Sequence, residues 1–458
     1  MKTLKICALI CGLVAFFGLS HPPAAAAADD ELVLKARTMI DALQRGDFSA
    51  ATRDYDATMR NVSGPEKTGE FWNILQTKIG VFKERTGERR EKLGNYEIVL
   101  VTCVFEKMTL DLRIVFGADG KIAGFQFVPP RSPVNYEPPA YADPARFTET
   151  EVTVGAEPWA LPGTLTKPKG DGLVPALILV HGSGPNDRDE TIGPNKPFQD
   201  LAWGLASRGI AVLRYEKRTR VHGTRMVSAR SLTVKEEAVD DAVEAVRLLQ
   251  KTEGIDPRRV FVLGHSLGGM LIPRIAVAVK PLGAAGFISM AGLTFPLEET
   301  YLKQVTYLLS LDGQLSDEDQ KQLAGVRADV DKIKALKEED RSSAEKVIFA
   351  YPAYWLDLRG YDPPETARSV DRPMLFLQGG RDYQVVPENL ERWEKALKGR
   401  PDVTFKLFPK LNHLFGEGEG ISTPNEYLDT HKSVAEDVVR EIEAFIRRIP
   451  PEGKDGDG

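Results

Sequence analysis

The sequence predicts an α/β fold in which a mostly parallel sheet carries helices on both faces and a helical cap insertion, preceded by a small α+β domain. Short runs that are apolar throughout alternate with helical segments, as expected for parallel strands covered on both faces. Residues 291–373 interrupt this alternation with a mostly helical stretch that contains no strand pattern. The apolar runs are residues 176–180, 210–215, 260–263, 286–290, 374–378 and 403–408.

Composition and length agree with a globular protein of more than one domain. The chain has 458 residues, of which 42% are hydrophobic and 28% charged, so it can bury a large core. The formal net charge of −6 gives no indication of nucleic-acid binding.

The N-terminal segment predicts export. Two lysines precede an apolar run at residues 6–19, and a string of alanines ends at Ala28. Because the run is too short for a membrane span and ends in small residues, residues 1–28 are typical of a signal peptide. We therefore expect a periplasmic or secreted protein without a stable membrane span after cleavage; a retained N-terminal anchor is the alternative. The tail at residues 451–458 is expected to be disordered.

Cysteine usage excludes an intrachain disulfide in the mature protein. Cys7 and Cys11 lie in the predicted signal peptide, which leaves Cys103 alone. Cys103 belongs to an apolar alternating run, which favours a buried thiol in the core over a reactive one.

Residues 29–128 are predicted to form the small α+β domain, because helical patterns at residues 30–60 and after Pro65 precede runs of period two. The domain contains no histidine and no catalytic constellation. Its arrangement resembles the small cone-shaped α+β domains, related to the nuclear-transport-factor-like fold, that precede some secreted bacterial hydrolases. A proline-rich linker follows at residues 129–145. The period-two runs are residues 96–105, 108–116 and 122–128.

The second domain is predicted at residues 146–450, with an entry hairpin at its start and a helical cap at about residues 293–371. Thr233 and Glu236 form a predicted capping box for one covering helix. Large apolar side chains cluster where the cap returns to the sheet and predict a wall for an apolar substrate group, with ordinary cap-to-core packing as the alternative. These side chains belong to Tyr351, Tyr354 and Trp355.

One stretch predicts a nucleophile. The apolar run 260–263 ends in Gly264-His265-Ser266-Leu267-Gly268. This G-x-S-x-G pattern places a serine on a strand-to-helix turn so tight that bulky neighbours are excluded and the hydroxyl is exposed. Ser266 is the candidate nucleophile; a chance serine in a glycine-rich turn is the alternative.

The general base is predicted by elimination among six histidines. His413 follows the last predicted strand, at the carboxyl edge of the sheet where loops from separate strands converge. The alternative is a loop histidine without a role. The other histidines are His21 in the signal peptide, His181 in a strand-end loop, His222 in a polar loop, His265 on the turn but pointing elsewhere, and His431 at the start of the terminal helix.

Asp382 is predicted to orient that base. It lies in a glycine-bent loop directly after the strand at residues 374–378, whereas Asp371 lies before that strand and at the wrong end. The chain order Ser266, Asp382, His413 is the order that a G-x-S-x-G serine hydrolase shows.

Two backbone N–H groups are expected to form the oxyanion hole. One is that of Leu267, directly after the nucleophile at a helix N-terminus. The other is that of Ser183 in His181-Gly182-Ser183-Gly184-Pro185, with Gly184 as the alternative, and His181 would hold this loop. A phosphate-binding loop is the competing interpretation, but the Lys-Ser/Thr that a P-loop requires is missing.

With these motifs, residues 146–450 resemble the α/β-hydrolase family. They resemble in particular secreted bacterial carboxylesterases, which have a Pro-Asn-Asp sequence after the oxyanion loop, here Pro185-Asn186-Asp187, and an Arg-Tyr-Glu-Lys-Arg type segment, here Arg214 to Arg218. The resemblance implies hydrolysis of small-molecule esters with short-to-medium acyl groups, without a cofactor or a metal site. It also implies that Asp189 and Arg218 form structural ion pairs beneath the oxyanion loop.

Two other classes of function stay open. The same triad serves peptidases, thioesterases and acyltransferases, since one fold hosts many reactions. Alternatively, the protein is a non-catalytic binding protein on a hydrolase scaffold, against which the intact set of serine, aspartate and histidine argues.

Overall fold

A computed structural model describes residues 31–451 except 94–95, 129, 131–135, 228, 312 and 429. Residues 1–28, predicted as a signal peptide, and nearly all of the predicted tail lie outside the described residues, as do Cys7, Cys11 and His21. The described residues divide into two compact units, residues 31–130 and 136–451.

In the first unit, four helices precede a four-stranded antiparallel sheet in the order β1-β2-β3-β4. The helices are α1 (Glu31–Gln44), α2 (Phe48–Ala51), α3 (Ala57–Val62) and α4 (Pro65–Ile79), and the strands are β1 (Phe82–Leu93), β2 (Tyr96–Phe105), β3 (Thr109–Phe116) and β4 (Ile122–Val128). Apolar residues of α1, α4 and the sheet form the core. Cys103 is fully buried there, and burial raises the pKa of its thiol to about 12.

The sequence pattern predicted three strands in this unit but not β1. Most residues of β1 are charged, so its pattern lacks the apolar alternation that predicts a strand. The structure accounts for these charges by pairing. Arg89 lies 2.7 Å from the buried Asp111 on β3, and Arg90 lies 2.8 Å from Glu97 on β2.

The second unit is built on an eight-stranded sheet in the order β12-β11-β10-β9-β7-β8-β6-β5. The entry strands β5 and β6 are antiparallel to their neighbours, and the other six are parallel to one another, as predicted. The strands are β5 (Phe147–Val154), β6 (Leu161–Pro168), β7 (Val174–Val180), β8 (Ala211–Tyr215), β9 (Ile255–His265), β10 (Gly286–Met290), β11 (Met374–Gly379) and β12 (Val403–Phe408).

Helices follow most of these strands, and the cap forms between β10 and β11. The helices are α5 (Pro197–Ala206), α6 (Arg218–Val221), α7 (Gly223–Val227), α8 (Asp240–Gln250), α9 (Leu267–Val279), α10 (Leu297–Ser310), α11 (Asp317–Ala335), α12 (Pro352–Arg359), α13 (Pro363–Arg368), α14 (Glu388–Ala396), α15 (Asn425–Leu428) and α16 (Glu436–Arg448). The cap comprises α10 to α13.

Two local details differ from or refine the expectations. The backbone N–H of Thr233 donates to Glu236 Oε2 at 3.0 Å, as in a capping box, but a π-helical segment, Lys235–Val239, precedes α8. His431 lies before α16 rather than at its start, because that helix begins at Glu436. Among the described helices, none has the length and apolar character needed to cross a bilayer.

Candidate active site

Ser266 occupies the sharp turn between β9, which ends at His265, and α9, which begins at Leu267. Its backbone has φ 54° and ψ −115°, a conformation that residues other than glycine rarely adopt. The turn depends on close backbone contact: a Cβ on Gly264 would lie 2.2 Å from the carbonyl oxygen of Gly268, and a Cβ on Gly268 would lie 2.4 Å from that of Val180. These two positions therefore require glycine.

Asp382 and His413, which follow β11 and β12, are hydrogen bonded to each other. His413 Nδ1 lies 2.7 Å from Asp382 Oδ2. The other carboxylate oxygen accepts the backbone N–H groups of Gln384 and Val385, both at 2.8 Å. The carboxylate is thus fixed, and it orients the imidazole ring. Asp371, set aside in the sequence analysis, pairs instead with Lys280 at 2.9 Å.

The turn that carries Ser266, here called the elbow, and the loop that carries His413 are in direct contact through His265. The Nε2 atom of His265 lies 3.0 Å from the carbonyl oxygen of His413, and the centroids of the two rings are 4.7 Å apart. Within the described part of the chain, no hydrogen bond joins Ser266 Oγ to His413 Nε2. Such bonds are often long in the absence of substrate and shorten in the reacting complex.

The loop after β7 lies against Ser266. A Cβ on Gly182 would be 3.0 Å from Ser266 Cβ, so a side chain at this position would crowd the serine. His181 is buried, and its Nε2 is hydrogen bonded to the carbonyl oxygen of Asp187 at 2.9 Å. Burial lowers the pKa of His181 to about 4, so the ring is neutral and holds the loop, as predicted. Ser183 follows next in the loop, and Leu267 opens α9.

A second histidine–carboxylate pair, which the sequence pattern did not predict, lies beside the first. Glu190, buried and with φ 52°, contacts His265 Nδ1 at 2.8 Å. Its other oxygen accepts the N–H of Gly182 at 2.6 Å. Both ring nitrogens of His265 therefore face acceptor oxygens, one of Glu190 and one of His413, an arrangement that favours the protonated ring.

Burial opposes both charges of this pair, but mutual attraction and hydrogen bonding outweigh it. The pKa of His265 consequently lies above its ordinary value, and the pKa of Glu190 lies below its ordinary value. The only sequence signal for the pair was the histidine within the elbow itself.

Asp189 and Arg218, which were expected to form structural ion pairs, both do so, with partners that the sequence did not identify. Asp189 pairs with Arg214 and, at 3.1 Å, with Lys196. Arg218 pairs with Asp241, with Nε 3.0 Å from Oδ1.

The aromatic residues predicted as a pocket wall are mostly packed inside. Tyr354 and Trp355 on α12 are 5% and 1% exposed, and their polar atoms bond to Glu237 and to the carbonyl oxygen of Val347. This burial corresponds to cap-to-core packing rather than to a pocket wall. Tyr351 is half-buried, with Lys346 Nζ 4.8 Å from its ring centroid. No group of three or more potential metal ligands was found among the described residues.

With this geometry in place, comparison with known proteins decides the family. Residues 177–428 match the alpha/beta hydrolase family. The chain belongs to that family. Residues 36–125 of this α/β-hydrolase match a family of proteins of unknown function, DUF3887. The resemblance predicted from the motifs is thereby confirmed.

Two curated relatives of this α/β-hydrolase are named as esterases. Esterase EstD of Thermotoga maritima is 41% identical over 378 residues, which cover 82% of this chain and 86% of that protein. A 4-O-methyl-glucuronoyl methylesterase of Neurospora crassa is 31% identical over 146 residues, 30% of this chain and 35% of that protein. Among solved structures, an esterase of Pyrococcus furiosus is 16% identical with a TM-score of 0.40, covering 70% of this chain and 97% of its own.

Proposed function

We propose that this α/β-hydrolase is a serine carboxylesterase that hydrolyses small-molecule esters with short-to-medium acyl groups through an acyl-enzyme on Ser266. The observation that carries the proposal is the hydrogen bond between Asp382 and His413, whose loop contacts the elbow of Ser266. The esterase names of two relatives support ester hydrolysis over the other reactions of this fold.

In the proposed mechanism, His413 Nε2 is the base, because Nδ1 is held by Asp382. Ser266 Oγ attacks the ester carbonyl carbon while Nε2 takes its proton, and the Asp382 carboxylate stabilises the imidazolium that forms. The carbonyl oxygen becomes an oxyanion and accepts hydrogen bonds from the N–H groups of Ser183 and Leu267. Collapse of this intermediate breaks the bond to the alcohol, which leaves with the proton from His413.

Water then completes the cycle. His413 deprotonates a water molecule, which attacks the acyl carbon, and the second tetrahedral intermediate again places its oxyanion between Ser183 and Leu267. Breakdown returns the proton from His413 to Ser266 and releases the carboxylic acid. No redox change occurs in either half of the reaction.

Replacement of Ser266 tests this function. Ser266→Ala should reduce kcat for p-nitrophenyl esters by at least about 10⁴-fold and abolish labelling by a fluorophosphonate, since the nucleophile is lost. Ser310→Ala removes an exposed hydroxyl in the cap and is the control. Near-normal hydrolysis by Ser266→Ala would refute the assignment.

The substrate class is tested with the wild-type protein. Esters of graded acyl length, acyl thioesters and aminoacyl anilides separate an esterase from a thioesterase or a peptidase, and we expect the highest kcat/KM for short-to-medium acyl esters. A wild-type protein that no fluorophosphonate labels would instead support the non-catalytic binding alternative.

We also propose that the protein is exported to the periplasm or secreted, on the basis of the signal-peptide pattern at residues 1–28. Detection of a mature chain that begins after Ala28 in periplasmic or culture fractions is the expected result. Retention of residues 1–28 on a membrane-bound protein would contradict it.

A further inference from the structure

Buried charged groups hold the residue Gly182 from both sides. Its N–H donates to Glu190 Oε1 at 2.6 Å, and its carbonyl oxygen accepts from Lys217 Nζ at 2.7 Å. The side-chain amide of Asn186 donates to the same oxygen at 3.2 Å. This carbonyl belongs to the peptide group that also contains the N–H of Ser183. A cation therefore contacts the oxygen of the very amide whose N–H is the predicted oxyanion donor.

Lys217 is an unusual residue to find in this position. It is 2% exposed, and removing an ammonium from water is costly unless its charge is compensated. Glu237 provides the compensation, with Oε1 2.5 Å from Nζ. Replacing a buried ion pair by apolar side chains is often neutral or stabilising, so stability alone does not explain a lysine here.

The cap completes this arrangement. The hydroxyl of Tyr354 on α12 donates to Glu237 Oε2 at 2.8 Å. Glu237 therefore bridges a cap residue and Lys217, and a continuous chain of hydrogen bonds runs from Tyr354 through Glu237 and Lys217 to Gly182. The side chains in this chain of hydrogen bonds are those of Tyr354, Glu237 and Lys217.

We propose that Lys217, held by Glu237 and Tyr354, is a positioning residue that orients and polarises the Gly182–Ser183 peptide for oxyanion binding. The inference rests on the proposed esterase function, which supplies the oxyanion. A cation on the carbonyl oxygen draws electron density from the amide and makes its N–H a stronger donor, because hydrogen bonds in a chain reinforce one another. The same contact fixes the direction of that N–H before the reaction starts, which is the condition for electrostatic catalysis.

Tyr354 thereby has a role that its apolar surroundings did not suggest. Its hydroxyl, rather than its ring, links the cap to the oxyanion loop. A shift of α12 that breaks the bond to Glu237 would weaken the support of Lys217. The position of the cap would then affect the rate of acyl transfer without any contact between Tyr354 and substrate.

Lys217→Met tests the proposal, since methionine keeps an unbranched side chain and removes the charge. We expect kcat to fall on the order of 10- to 100-fold with KM within about twofold, because the lost interaction acts on the oxyanion and not on the bound ester. An alkylboronic acid, which forms a tetrahedral adduct with the serine, should bind more weakly by the same factor as kcat falls.

Arg218→Met is the matched control. It removes a buried cation from the adjacent residue, whose partner Asp241 lies four residues beyond Glu237. Among the described residues, its guanidinium pairs with Asp241 and lies over the ring of Trp159 but has no hydrogen bond to the oxyanion loop, so the variant reports the structural cost of breaking a buried ion pair. We expect a lower melting temperature for Arg218→Met with kcat within about twofold of wild type. Equal losses of kcat in Lys217→Met and Arg218→Met, or a rise in KM alone in Lys217→Met, would overturn the inference.

Tyr354→Phe keeps the test decisive if Lys217→Met does not fold. It removes one hydroxyl, and we expect a loss of kcat of about two- to fivefold together with an equal loss of boronic acid affinity. Unchanged kcat and unchanged boronic acid affinity in Tyr354→Phe would overturn the inference. Fluorophosphonate labelling of the wild-type protein distinguishes failure of the esterase function from failure of the role of Lys217. If the wild-type protein is not labelled, the esterase function is refuted. If it is labelled but Lys217→Met has an unchanged kcat, only the role of Lys217 is refuted.

Discussion

Two histidine–carboxylate pairs lie side by side in this α/β-hydrolase, and they differ in one contact. His413 bonds through Nδ1 to Asp382 at 2.7 Å, and His265 bonds through Nδ1 to Glu190 at 2.8 Å. Both pairs are buried. The Nε2 atom of His265 is committed to the carbonyl oxygen of His413, whereas no described residue bonds to the Nε2 atom of His413.

This difference separates the proposed base, His413, from a histidine that connects two loops. His413 can accept a proton at Nε2 without breaking a described contact, whereas the Nε2 atom of His265 already contacts the carbonyl oxygen of His413. The Glu190–His265 pair instead connects Gly182, in the loop after β7, to the loop of His413. A carboxylate partner alone therefore does not identify a catalytic histidine; the surroundings of the second nitrogen do.

Exchange of the two histidines for glutamine should give the largest contrast. We expect His413→Gln to reduce kcat by about 10⁴- to 10⁶-fold, because the base is removed. His265→Gln should reduce kcat by only about 10- to 100-fold, because it disturbs the geometry of the site and not the proton transfer. Steady-state kinetics with one p-nitrophenyl ester measures both, and comparable losses would show that His265 takes part in the chemistry.

Isosteric changes of the two carboxylates sharpen the contrast further. Asp382→Asn should lower kcat by about 10⁴-fold, since an amide no longer stabilises the imidazolium or its correct tautomer. For Glu190→Gln we expect kcat to fall by about 10- to 100-fold, because the loops of Gly182 and His413 lose their alignment. A larger loss of kcat in Glu190→Gln than in Asp382→Asn would indicate that His265, and not His413, is the base.

The smallest expected effect concerns the pH dependence of stability. The raised pKa of His265 means that its contribution is complete below the ordinary histidine value of about 6.5 and is lost as the pH rises through the raised value. The lowered pKa of Glu190 means that its contribution is complete above about 4.3 and is lost as the pH falls through the lowered value.

The difference in melting temperature between wild type and Glu190→Gln should therefore be largest between about pH 4.5 and 6.5 and shrink on either side. Thermal unfolding at stepped pH measures it. A difference independent of pH would mean that the pair is not ionised in the folded protein.

The sequence was informative wherever local pattern and chemistry coincide. Apolar runs predicted the parallel strands, since strands covered on both faces must be apolar throughout. The glycines around Ser266 predicted a turn that the structure shows to be crowded by backbone. Strand order placed Asp382 and His413 on neighbouring loops, where they are bonded.

Residues whose state depends on tertiary partners could not be predicted in this way. Glu190 and Lys217 are charged residues in a polar stretch, and only the fold shows that they are buried around Gly182. The charges of β1 concealed a strand for the same reason. In the sequence, an aromatic residue such as Trp355 has the same pattern whether it lines a pocket or packs in the core. The sequence therefore left both alternatives open.

The buried thiol of Cys103 makes the first unit separately measurable. No cysteine follows it in the chain, and the two that precede it belong to the predicted signal peptide. In a mature chain cut after Ala28, a disulfide reagent would therefore modify one site, at a rate that reports how often the first unit opens. Loss of ester hydrolysis, followed on the same sample, would report the integrity of the second unit. Comparison of the rate of thiol modification with the rate at which hydrolysis is lost would then show whether the two units open together or separately.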